Sequence, residues 1–178
     1  MTAKIIGLTG KAQSGKDTVA KIIIEHLGKL NAIRIAFADE VKRICAAGLG
    51  IDIKQLEAKK QEPKIRRLLQ RVGTDVFREY DEHVWINRGF EKIRMLKNYN
   101  NGILFIITDV RFLNEAEAIH KEGGLIWRIS RNHQKQNKRI ALHKSETEMD
   151  QIEPDYTLNN DGTVDELKEQ VLSLLSSI

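Results

Sequence analysis

The sequence predicts an α/β fold in which a five-stranded parallel sheet carries helices on both faces. Three observations predict it. Short apolar runs rich in β-branched residues alternate with stretches of helical period, Gly, Asn or Asp stands at most junctions, and no run is long and apolar enough to span a membrane. A strand followed by a helix and a parallel strand crosses over right-handedly, which covers both faces of the sheet.

Ala3 to Thr9 reads as a buried strand ended by Gly10, and Val19, Ile22, Ile23 and Leu27 then recur at helical spacing. Ile33 to Ala38 reads as a second strand. From Asp39 to about Asn98 a long charged region reads mainly as helices, punctuated by Pro63 and Gly73. Ile103 to Thr108 is a third strand, apolar at five of six positions and ending at Asp109. Asn114 and Glu117 have the spacing of a helix start, Gly123-Gly124 supplies the stop, and Leu125 to Ile129 forms a fourth strand. Tyr156 to Leu158 gives a fifth, and Thr163 with Glu166 forms a capping box before the apolar face of Val164, Leu167, Val171, Leu174 and Leu175.

The chain has 178 residues, 41% hydrophobic and 30% charged, the size of one compact domain and without the composition of disorder. The opening residues turn to Gly and Lys too early for a signal peptide, and the single cysteine, Cys45, cannot form an internal disulfide. A soluble cytoplasmic protein is expected. The net charge of +4 is unevenly spread: Gly123 to Lys144 contains no acid but includes Arg128, Arg131, Lys135, Lys138, Arg139 and Lys144. That stretch suits an anionic partner, either a nucleic acid or a small phosphate compound.

Between the first strand and helix lies Gly10-Lys11-Ala12-Gln13-Ser14-Gly15-Lys16-Asp17-Thr18, which matches G-x-x-x-x-G-K. Composition alone would place such a match somewhere in a chain of this length roughly 5% of the time, so its position after a buried strand and before a helix is what makes it a phosphate-binding loop. Glycine lets successive N–H groups turn into one concavity, the helix N-terminus adds unpaired donors, and Lys16 sets a point charge at the phosphates being separated. Asp17 stands where Ser or Thr is usual and Thr18 follows, which leaves Asp17, Thr18 and the strand-end Asp109 as alternative Mg2+ ligands, directly or through water. A GTPase is discounted because Asn137-Lys138-Arg139-Ile140 lacks the Asp of the guanine motif.

Four segments occur in order: Ser14-Gly15-Lys16-Asp17-Thr18, Gln70-x-x-Gly73-Thr74-Asp75-x-x-Arg78, Thr108-Asp109-Val110-Arg111-Phe112-x-Asn114-Glu115-Ala116, and His143-x-Ser145-Glu146. In this the whole chain resembles the phage-type deoxynucleoside monophosphate kinases of the P-loop kinase fold. The resemblance implies one domain over 1–178, with a helical acceptor-binding region at about 39–98 and a lid at about 131–147. It implies ATP as donor, a deoxynucleoside or ribonucleoside monophosphate as acceptor, Mg2+ as cofactor, and work in the cytoplasm, the host's if the source is viral. No membrane or nucleic-acid partner is expected, and the oligomeric state stays open, a homodimer included.

On this resemblance Lys16, Asp109, Arg111 and Arg131 are catalytic candidates, and residues 10–18 with Arg139 bind ATP. Asp39, Lys42, Gln70, Thr74, Asp75, Arg78, Trp85, Arg111, His143 and Glu146 are candidates for the acceptor. Trp85 could be core or a pocket wall, Thr74-Asp75 could cap a helix, and Arg66 and Arg67 could form a solvated face. Asn159 to Thr163 would pack against adenine or form an ordinary turn. Rival readings are a P-loop kinase of dephospho-coenzyme A or phosphomevalonate, and a nucleic-acid-binding P-loop NTPase. The last lacks aromatic residues between Arg128 and Lys144 for stacking.

Overall fold

The computed structural model describes residues 4–100, 102–132 and 144–178, with side chains in the last stretch from 148 onward. Expected roles for Arg139, His143, Ser145 and Glu146, and most of the 131–147 segment, lie outside these residues or side chains. The chain forms two compact units, residues 36–94 and the remainder.

The larger unit is built on a parallel sheet of five strands: β1 (Ile5–Thr9), β2 (Ala32–Ile35), β3 (Leu104–Ile107), β4 (Leu125–Ser130) and β5 (Tyr156–Asn159). Their order is β2-β3-β1-β4-β5, and every pairing is parallel. Central β1 and β3 are buried at every residue, as near-continuous apolar runs must be when both faces are covered, whereas edge strand β5 buries only Leu158. On one face Ile6, Leu8, Ile106, Trp127 and Ile129 pack with Val19 and Ile23 of α1 (Lys16–Leu27) and Leu167, Val171 and Leu175 of α9 (Val164–Ser177). Full burial of such a side chain stabilises by about 1.5–3 kcal/mol, so this seam fixes where both helices lie. Thr163 and Glu166 form the expected capping box on α9.

The chain leaves β1 toward β2 on one side, and β3 then leads to β4 on the other. That reversal opens a crevice at the carboxyl ends of the strands, where ligands of such sheets bind. The Val110 N–H donates to the Leu8 carbonyl at 3.2 Å, which draws the segment after β3 against the end of β1.

Two expected boundaries are corrected. The second strand stops at Ile35, and Asp39 lies in the first turn of α2 (Ala38–Leu49), its carboxylate accepting the Ala36 N–H at 3.2 Å. Ala36 and Phe37 are buried outside any strand, and an apolar run does not separate the two cases. Helix α7 (Leu113–Lys121) starts before Asn114, and Glu115 rather than Glu117 reaches back to cap it. A further helix, α8 (Lys144–Gln151), begins within the expected 131–147 segment.

In the 36–94 unit, α2 is followed by α3 (Ile53–Lys59), opened by an Asp52–Gln55 capping box, and by α4 (Pro63–Gln70), with Pro63 in the first turn, where a missing N–H costs nothing. Gly73 does not stop the helix. The chain continues through a π-helical turn at Arg71–Val76 into α5 (Phe77–Tyr80), and α6 (Val84–Lys97) begins after a short break. Phe37 packs on Phe90 with ring centroids 6.3 Å apart, and Phe77 on Trp85 at 5.0 Å.

Candidate active site

The loop from Gly10 to Gly15 is shaped by backbone conformations that side chains resist. Gly10 has φ 140° and Gly15 φ 111°, and a Cβ would overlap the Ile129 carbonyl at the first and the Asn160 amide at the second. Gln13 shares a positive φ, 63°. Gly15 caps α1 and, having no side chain, offers the first N–H groups of the helix no side-chain acceptor of its own, which suits an anion there. Lys16 curls back so that its Nζ meets the carbonyl oxygens of Gly10 and Lys11, the latter at 2.8 Å. Ser14 is 1% exposed, and its Oγ has no hydrogen-bond partner among the described residues.

Around this loop the sheet supplies further groups. Asp109 and Arg111 are half-buried just beyond β3. Glu115, itself 4% exposed, accepts the N–H groups of Arg111 at 2.8 Å and Phe112 at 3.1 Å, which fixes the backbone from which the Arg111 side chain departs. Gly10, Lys11, Ser14, Arg128, Arg131 and Asp150 are among the residues lining a cavity of about 270 Å³. Arg131 is exposed at its rim. Lys11 lies 3.9 Å from Asp150, and the Asn160 side-chain amide donates to the Ser14 carbonyl at 2.7 Å.

The three metal candidates present a hydroxyl and two carboxylates, hard oxygen donors that suit Mg2+, an ion that keeps several waters and takes the rest of its shell from phosphates. Thr18 and Asp109 are half-buried, while the Asp17 side chain is 87% exposed and lies 3.8 Å from Arg34 Nε. Among the described residues no group of three or more His, Cys, Asp or Glu forms a closed metal cage, and none of the helices is long and apolar enough to cross a membrane.

In the 36–94 unit, Gln70, Thr74 and Arg78 are half-buried and Asp75 is exposed, all in or beside the π turn. Lys42 lies 3.6 Å from Asp39, the expected one-turn neighbour, and 2.6 Å from Glu57. Burial alone would raise the Glu57 pKa, but hydrogen bonds and charge from Lys42 and Lys60 hold it down to about 2. Trp85 is 4% exposed and donates its indole N–H to the Gly73 carbonyl at 2.7 Å. Arg66 is half-buried and Arg67 exposed.

Sequence reasoning missed the parts played by Arg128, Asn160, Glu115 and Glu57. Arg128 sits mid-strand in β4 and donates to the carbonyl oxygens of Met149, at 3.2 Å, and Ile152, at the end of α8. A lone cation in an otherwise apolar strand was its visible signal, since a buried charge demands partners. Asn132 similarly bonds Asp161 through its N–H, at 2.6 Å, and its side-chain amide.

A family model described as deoxynucleotide monophosphate kinase matches residues 51–171. An Acanthamoeba polyphaga mimivirus protein carrying that name is 30% identical over 97% of this chain and 96% of its own. The deoxynucleotide monophosphate kinase of Enterobacteria phage T4 is 27% identical over 62% of this chain and 45% of its own. Among solved structures, a dephospho-CoA kinase from Campylobacter jejuni covers 99% of this chain and 98% of its own with a TM-score of 0.51 and 14% identity, a likeness of fold alone.

Proposed function

The chain belongs to the deoxynucleotide monophosphate kinase family, and from that premise we infer that it transfers the γ-phosphate of ATP to a deoxynucleoside or ribonucleoside monophosphate, giving ADP and the diphosphate. The observation that carries the reading is the Gly10–Lys16 loop, where positive-φ glycines, the N-terminus of α1 and a Lys16 ammonium folded onto the loop carbonyls occur together, the combination that suits a phosphate.

An acceptor phosphate oxygen attacks the γ-phosphorus in line as the bond to the β-bridging oxygen breaks. The acceptor oxygen is already ionised, so no general base and no covalent intermediate are needed. Loop N–H groups hold the β- and γ-phosphates. Lys16 exchanges its carbonyl partners for phosphate oxygens and follows the charge that builds on the leaving ADP. Arg111, its backbone fixed by Glu115, clamps equatorial oxygens, and Arg131 and Arg139 approach from the basic segment at 131–147. Thr18 and Asp109, with Asp17 as the alternative, would hold Mg2+, which would supply charge neutralisation for the phosphates. Gln70, Thr74, Asp75 and Arg78, with Asp39 and Lys42, take the acceptor nucleotide, aided by His143 and Glu146. The viral relatives support action in a host cytoplasm.

Turnover with a panel of ribonucleoside and deoxyribonucleoside monophosphates, followed by chromatography of the products, tests this reading. Diphosphates are expected. Turnover of dephospho-coenzyme A or phosphomevalonate with none of the nucleotides would overturn the acceptor assignment.

A further inference from the structure

We propose that Trp85 is a positioning residue for acceptor recognition: its indole N–H locks the π turn at 71–76, and the turn sets the face on which Gln70, Thr74 and Arg78 stand. The inference rests on the reading of 70–78 as the acceptor segment. In an α-helix the Phe77 N–H would reach the Gly73 carbonyl, but here it reaches Val72, one residue further back. The Gly73 carbonyl instead accepts the Trp85 indole N–H at 2.7 Å. Trp85 is 4% exposed, and this bond satisfies its only polar side-chain atom. Its ring also lies 5.0 Å from Phe77, at an interplanar angle of 52°, just where the π turn hands over to α5.

The turn matters because of what it does to spacing. With 3.6 residues per turn, positions four apart on an α-helix drift by about 40°, so Gln70, Thr74 and Arg78 would fan over about 80°. A turn closed from i to i+5 holds more residues and takes back much of that drift, bringing the three toward one line. The motif Gln70-x-x-Gly73-Thr74-Asp75-x-x-Arg78 brackets the turn, so the inserted geometry falls where side-chain alignment counts. Trp85, twelve residues from Gly73, is the tertiary contact that selects it over a regular helix.

Trp85→Phe keeps a ring against Phe77 and deletes the N–H. With whichever deoxynucleoside monophosphate the wild type turns over fastest, the acceptor KM should rise ~5-fold or more while kcat and the ATP KM stay within about twofold. Amide hydrogen exchange should quicken at 71–77 and nowhere else. If Phe prevents folding, benzothienylalanine at position 85, which keeps the bicyclic shape without the N–H, makes the same test. An unchanged acceptor KM, unchanged exchange at 71–77, or equal losses toward both substrates with faster exchange throughout would each overturn the proposal. Arg78→Lys and Thr74→Val test the premise separately. If both leave the acceptor KM untouched, the acceptor reading of 70–78 fails and the proposal with it, even where Trp85→Phe still loosens the turn.

Discussion

Residues 10–15 owe their shape to backbone conformation, while residues 70–78 display their side chains along a helix. In the loop, two glycines at positive φ lead to a helix start whose capping residue has no side chain, and Lys16 turns its ammonium back to the loop carbonyls. In the helical segment the backbone is a rack whose pitch, altered by the π turn, decides what the side chains can reach together. The difference teaches where each is vulnerable. A backbone site fails when a conformation is denied, whereas a side-chain site fails when one group is shortened or turned.

Removing the one side chain on which the loop depends should have the largest effect. Lys16→Ala is expected to lower turnover by at least ~10²-fold, the usual weight of a donor aimed at a transition state, with circular dichroism unchanged. Near-normal turnover in the folded variant would show that the backbone alone suffices. Gly10→Ala attacks the conformation instead. At φ 140° and against the Ile129 carbonyl it should cost about 1–3 kcal/mol, read as a lower urea midpoint and a higher ATP KM.

Arg78→Lys and Arg111→Lys keep charge and lose the planar fork, and each should raise the acceptor KM or lower kcat by roughly 10-fold, with little change in ATP binding. Kinetics with each substrate varied in turn decides, and a loss confined to ATP would put these arginines on the donor side. The smallest effect belongs to Glu57. A carboxyl held at about 2 against an ordinary 4.5 contributes stability that is complete above the ordinary value and lost as pH falls toward the lowered one. The group is about a third exposed, so screening limits the contribution to under about 1 kcal/mol. The urea midpoint of Glu57→Gln should therefore lie below the wild type's at pH 6 and converge on it near pH 2.5. A gap that stays constant with pH would assign its loss to packing rather than charge.

The same contrast explains what the sequence made legible. The loop could be read because glycine at fixed spacing is itself the cause of the conformation, and the strands because apolar runs are the cause of their burial. The 39–98 region was legible as helical, yet Gly73 read as a break and is instead part of a continuous rod, since nothing local distinguishes an α turn from a π turn selected by Trp85. The cap on α7 was misplaced for a similar reason. The rule looks for an oxygen on the capping residue, and here Phe112 offers none while Glu115 reaches back from inside the helix. Arg128, Asn132 and Asn160 bond partners 21, 29 and 146 residues away, distances at which no spacing rule operates.

Those long-range bonds also bear on how the enzyme can change over generations. Asn132 is pinned to Asp161 on one side of residues 133–143, and Arg128 pins the far end of α8 on the other. Both bonds are made by residues outside 133–143, so the sheet holds Asn132 and the end of α8 through Arg128, Asn132 and Asp161 themselves. Descendants of this chain are therefore less free to change Arg128, Asn132 and Asp161 than residues outside such bonds.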